Sequence, residues 1–104
     1  MHEVDLAAFA VAYASGAVVI DVREADEYVA GHVPGARLVP LGRLSQHLGG
    51  VPRDQRVYVI CASGNRSKAA ASLMERAGID AVSVAGGTGA WQRAGKPVTF
   101  GVRP

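Results

Sequence analysis

Only one cysteine, Cys61, stands in the 104 residues, so no internal disulfide is available. No cluster of Cys, His and carboxylates has metal-ligand spacing, so no metal or organic cofactor is implied. Aromatics make up 6% of the chain, and its arginines and lysines are scattered, leaving a net charge of only +2. That combination excludes a basic, base-stacking surface for nucleic acid. No apolar run approaches the roughly 20 residues needed to cross a bilayer. The longest, Leu6 to Ala14, follows a segment carrying Glu3 and Asp5, where a secretory signal needs positive charge. It reads as a helix with Asp5 as N-cap and Gly16 just past its end. A cytoplasmic location is therefore expected, where a reducing environment keeps a thiol usable.

Charged residues are also sparse, at 19% against 49% hydrophobic, which describes a globular rather than a disordered chain. Repeats, linkers and low-complexity runs are missing, and the length suits one domain over residues 1–104. Nothing in the pattern separates a dimer patch from core, so the oligomeric state stays open.

What is present is organised around Arg56 to Ser67. The apolar, β-branched run Val57-Tyr58-Val59-Ile60 ends at Cys61, passes through Ala62-Ser63-Gly64-Asn65-Arg66, and enters an Ala-rich segment of helical character. A buried strand feeding a loop and then a helix places a thiol at the strand's carboxyl end and below a helix N-terminus. Amides of residues 62 to 67 have no intrahelical partners there and converge on the loop's centre. With Arg66 they are expected to favour thiolate over thiol. Gly64 permits the turn, and the small Ala62 and Ser63 are expected to leave the pocket open.

The rest of the chain supplies the frame. Ala17 to Ile20 reads as a short buried strand ending at Asp21, and Glu24 to Ala30 as a helix stopping before Gly31. Pro34-Gly35 marks a turn before the extended Arg37 to Pro40. Leu41, Leu44 and Leu48 predict one helix closed by Gly49-Gly50, and Ser67 to Ala77 a second helix with Gly78 beyond it. Ala81 to Val84 is a strand, Thr88 to Ala94 a short helix, and Val98 to Pro104 a tail either packed on the sheet or loose. Alternating short strands and helices predict an α/β fold, a small parallel β-sheet flanked by helices on both faces. Asp21, Cys61 and Ala85-Gly86-Gly87 all follow strands, so they share the sheet edge where such folds bind ligands.

Cys61-Ala62-Ser63-Gly64-Asn65-Arg66-Ser67 resembles the active-site loop of rhodanese-type sulfurtransferases, with four residues between cysteine and arginine. Asp21 to Tyr28 with Gly31-His32-Val33-Pro34-Gly35-Ala36 is similar to that family's first signature, and Val84 to Trp91 to its last. The three lie in order across nearly the whole chain. The resemblance implies a rhodanese-like fold and a cysteine, Cys61, that takes a sulfane sulfur as a persulfide and passes it on. Cyanide, a small thiol or a protein thiol would be the acceptor, since no second cysteine exists to displace the sulfur internally. Residues 62 to 67 would line the substrate cavity, while Asp21 and Arg23 would support its loops.

Alternatives accompany that reading. Arg66 either binds an anionic donor such as thiosulfate or braces the loop through carbonyls or a carboxylate. Arg23 is placed to pair with Glu27 four residues on, as in a helix-end ion pair. His32 suits a structural hydrogen bond, Trp91 a core anchor, and Gly86-Gly87 a tight turn. Phosphatase relatives carry one more loop residue, so the four here favour a sulfur-sized cavity. Many thiosulfate users place basic residues directly after the cysteine, whereas Ala62 and Ser63 stand there in this chain. A non-catalytic docking module and a redox sensor are the remaining classes.

Overall fold

The computed structural model describes residues 2–104, leaving Met1 outside. In chain order the strands are β1 (His2–Val4), β2 (Val18–Asp21), β3 (Arg37–Leu38), β4 (Val57–Ile60) and β5 (Ala81–Val84). The helices are α1 (Leu6–Ala14), α2 (Ala25–Val29), α3 (Leu44–His47), α4 (Asn65–Arg76) and α5 (Gly87–Arg93). All the strand pairings are parallel, in the order β1-β5-β4-β2-β3, so the strand that leads into the cysteine is central.

Side chains alternate across the sheet, as a pleated strand requires. Val57 and Val59 of β4 join Ile20 of β2 beneath Ala70, Ala71 and Met74 of α4, with Leu44 of α3 in the same cluster. Ile60 of β4 and Val19 of β2 face the opposite way, onto Phe9 of α1 and Trp91 of α5. β2, β4 and β5 are thus buried on both faces, which is why they read as continuous apolar runs. Trp91 is the core anchor expected: its ring centroid lies 5.5 Å from that of Phe9, and its indole N–H donates to the Pro97 carbonyl at 2.6 Å.

Local signals set most boundaries. Asp5 caps α1 by accepting from the Ala8 amide at 2.8 Å, and α2 opens with a capping box between Glu24 and Glu27. Three expectations need correction. The helix read through Leu41, Leu44 and Leu48 is broken into a 3-10 turn (Leu41–Arg43), the four-residue α3 and a second 3-10 turn (Leu48–Gly50). Gly42 within it and Gly49-Gly50 after it lower helix propensity, so packing of the leucines, with Leu44 fully buried, holds the segment. Helix α4 starts at Asn65 rather than Ser67, because Gly64 at φ 114° turns the chain two residues early. Finally, β1 carried no strand signal; it exists because its backbone pairs with the edge of β5, Glu3 lying opposite Ser83.

The tail packs rather than hanging loose. His32 and Thr99 exchange two backbone bonds, at 2.9 and 2.8 Å, and the Gly101 amide donates to the Val29 carbonyl. The His32 ring is buried, stacked on Tyr28, with one nitrogen 2.8 Å from the Tyr28 carbonyl oxygen and the other 2.8 Å from that of Arg103. That is the structural hydrogen bonding read for it.

Candidate active site

From β2 the chain moves outward to β3, and from β4 it moves the other way to β5, so their connections diverge above the β2–β4 boundary. Crevices in parallel sheets open at such points, beyond the strands' carboxyl ends. Asp21 closes β2 there, and Cys61 follows β4.

The loop between β4 and α4 wraps the Cys61 sulfur. The Gly64 amide donates to Sγ at 3.1 Å, and the Ser67 hydroxyl oxygen lies 3.4 Å from it. Burial pushes the Cys61 thiol up. The Ser67 hydroxyl and the amides of Ser67, Gly64 and Ser63 outweigh that and hold it below the ordinary thiol value. Ser67 lies in the first turn of α4, so the helix's orphan amides and dipole act at the sulfur.

Helix α5 fixes the loop from the other side. The Thr88 amide donates to the Cys61 carbonyl at 2.8 Å, and the Gly89 amide to the Ala62 carbonyl at 3.0 Å. A trans peptide is planar, so holding the Ala62 C=O toward α5 turns the Ser63 N–H the opposite way, onto the sulfur side. Gly87 makes this approach possible. At φ 57° it lies so close that a Cβ would meet the Ala62 carbonyl oxygen at 2.7 Å and that of Cys61 closer still.

Arg66 is gripped by Glu27 of α2. Its two terminal nitrogens donate to the two carboxylate oxygens at 2.7 and 2.9 Å. The same pair draws the Glu27 carboxyl down to about 2 and raises Arg66 further. Of the two roles open for Arg66, the geometry is the brace on a carboxylate. The expected Arg23–Glu27 pair is corrected accordingly: Arg23 turns back onto Asp21, with its Nε 3.0 Å and a terminal nitrogen 2.9 Å from the carboxylate, and donates also to the Gly31 carbonyl at 2.8 Å. Asp21 and Arg23 are therefore a buried ion pair tying the end of β2 to the turn after α2.

The expectation of an open pocket is also corrected. Cys61 is 1% exposed, with Gly64 and Ser67 buried around it, while Ser63 and Asn65 form an exposed rim. Two contacts of the loop were not expected from the sequence. Glu27 lies 39 positions from Arg66, and only the fold joins them. Ser83 of β5, whose hydroxyl oxygen is 2.7 Å from that of Ser67, sits in a strand read as plain core.

Residues 7–94 match the family model described as a rhodanese-like domain, and the chain belongs to that family. It is 37% identical over 78 residues to the thiosulfate sulfurtransferase GlpE of Pseudomonas putida strain GB-1, covering 74% of this chain and 71% of that protein. It is 38% identical over 64 residues to a putative sulfur carrier protein, YrkF, of Bacillus subtilis, covering 62% of this chain but only 35% of that longer protein. The crystal structure of a rhodanese-related protein from Thermoplasma volcanium superposes with a TM-score of 0.89 at 31% identity, covering 95% of this chain and 98% of the other. Among the described residues, no helix is long and apolar enough to cross a membrane.

Proposed function

We propose that this chain, read as one domain over residues 1–104, is a sulfurtransferase that works through a persulfide on Cys61. The observation that carries the reading is that the Gly64 amide and the Ser67 hydroxyl both meet one sulfur, in a loop whose hydrogen bonds hold that thiol below its ordinary value. A thiolate so held attacks the outer sulfur of thiosulfate; a new S–S bond forms, the old one breaks, and sulfite leaves with its electron pair. The persulfide's terminal sulfur, still anionic, is met by the same amides. A cyanide ion or a thiolate then attacks that outer sulfur, departing as thiocyanate or a new persulfide and restoring the Cys61 thiolate.

The relatives named a thiosulfate sulfurtransferase and a putative sulfur carrier support this chemistry. Because Cys61 is recessed, the donor must present its sulfur on a slender end, such as thiosulfate or an alkyl persulfide. Ser63 and Asn65 form the exposed rim, and Arg66 is engaged by Glu27, so an anionic donor is held mainly by backbone amides. A small thiol or a protein's cysteine is the natural acceptor in a reducing cytoplasm.

The burial of Cys61 is also the one observation that favours a second reading, a docking module whose cysteine is structural. Intact mass spectrometry separates the two. After incubation with thiosulfate, one added sulfur removable by cyanide is expected on the wild-type chain and none on Cys61→Ser, which is expected to stay folded. A wild-type chain that takes up no sulfur from thiosulfate or an organic persulfide would leave the docking module.

A further inference from the structure

The hydroxyl hydrogens around Cys61 can be counted. Ser67 Oγ has three polar neighbours: Cys61 Sγ at 3.4 Å, the Gly64 carbonyl oxygen at 3.1 Å and Ser83 Oγ at 2.7 Å. It has one hydrogen to donate and two lone pairs to accept with. Ser83 is fully buried in β5, and Ser67 is the hydrogen-bond partner its hydroxyl has. Were Ser67 to donate to Ser83, the sulfur and the Gly64 carbonyl would both go without that hydrogen, and the Ser83 hydrogen would point into an apolar core. Donation the other way gives the Ser83 hydrogen an acceptor and leaves the Ser67 hydrogen for the Gly64 carbonyl or the sulfur, whichever the protonation of Cys61 requires.

We infer that Ser83 is a positioning residue for Cys61: by donating to Ser67 it keeps the Ser67 hydroxyl hydrogen free for the sulfur. In the thiol form, Cys61 S–H donates to Ser67 Oγ, and Ser67 donates to the Gly64 carbonyl. When the sulfur loses its proton to solvent, the Ser67 hydroxyl rotates from that carbonyl onto the thiolate, and Ser83 continues to donate behind it. A donor that itself accepts a hydrogen bond is polarised and donates more strongly, so the buried pair acts as a unit. Ser83 lies opposite Val59 of β4, on the same face of the sheet as α4, which is what brings a strand residue behind the first turn of that helix.

The inference rests on Cys61 working as a thiolate, as the proposed function requires, but its test needs no sulfur donor. The rate of Cys61 alkylation by iodoacetamide is followed from acid to alkaline pH for the wild type, Ser83→Ala, Ser67→Ala and the double variant. Melting temperatures identify the folded ones, and Ser83→Val, a strand former that also lacks the hydroxyl, replaces Ser83→Ala should the latter not fold. For Ser83→Ala, the midpoint is expected to move up and the rate on the acid limb to fall about three- to tenfold, with no loss on the alkaline plateau. The double variant is expected to match Ser67→Ala alone, since Ser83 acts through Ser67. Ser83→Thr, which keeps the hydroxyl, is expected to restore the wild-type midpoint. An unmoved midpoint in Ser83→Ala, or effects that add in the double variant, would overturn the inference. Failure of the wild type to take up sulfane sulfur overturns the transferase reading instead.

Discussion

Arg66 and Glu27 show how one side-chain pair decides the character of the site. A guanidinium gripping both oxygens of a carboxylate is a geometric clamp, and its positive charge is met first by Glu27, with a lesser attraction to the Cys61 sulfur. The lowered Cys61 value accordingly follows from hydrogen bonds at the sulfur itself. Lysine lacks the planar fork, so Arg66→Lys is expected to slow sulfur loading about tenfold, measured by stopped intact-mass time courses. If bracing is the role of Arg66, Glu27→Gln slows loading in parallel. Faster loading in Glu27→Gln would mean instead that the released guanidinium binds the anionic donor.

At the scale of elements, the bowl is built by two helices rather than one. Helix α4 brings its N-terminal amides beneath the sulfur, and α5 pins the loop's carbonyls so that the intervening amides point inward. The contact between α5 and the loop depends on Gly87, whose positive φ and missing side chain bring backbone against backbone. Gly87→Ala is expected to cost about 2–4 kcal/mol of folding stability, from the left-handed backbone and the overlap together. It is also expected to raise the alkylation midpoint of Cys61 as the Ser63 and Gly64 amides turn away. Urea unfolding and the alkylation profile check the two effects. Wild-type values in both would show that α5 does not shape the loop.

For the molecule as a whole, the Glu27–Arg66 pair links the segment after β2 to the segment after β4 and makes stability depend on acidity. The Arg66 hydrogen bond holds the Glu27 carboxyl at about 2 against the opposing effect of burial, compared with 4.5 for the free group. In the interval between those values the unfolded chain binds a proton that the folded chain does not, so acid favours unfolding. The contribution is complete above about 4.5 and disappears as the pH falls toward about 2. With the two side chains 31% and 37% exposed, water screens the pair and limits it to about 1 kcal/mol. The urea midpoints of wild type and Glu27→Gln are therefore expected to differ at pH 6 and to converge near pH 2. A gap that persists unchanged into acid would assign the difference to packing.

Local chemistry made much of this legible in the sequence. Apolar runs of strand length, Asp5 as a cap, glycines beyond helix ends and a cysteine between a strand and a helix are each encoded within a dozen residues, and they determined the parallel α/β fold and the position of Cys61. The resemblance of the loop to rhodanese-type sulfurtransferases placed the chain in its family. Tertiary structure alone decided the partners: Arg66 with Glu27 across 39 residues, Ser67 with Ser83 across 16, Arg23 with Asp21 rather than Glu27, and β1 with β5. It also decided that the sulfur is recessed. The physical reason is the same in each case. Backbone preference and hydrophobic period act over a few neighbouring residues, whereas a hydrogen bond between side chains requires two distant atoms at a distance that only the assembled sheet and its helices set.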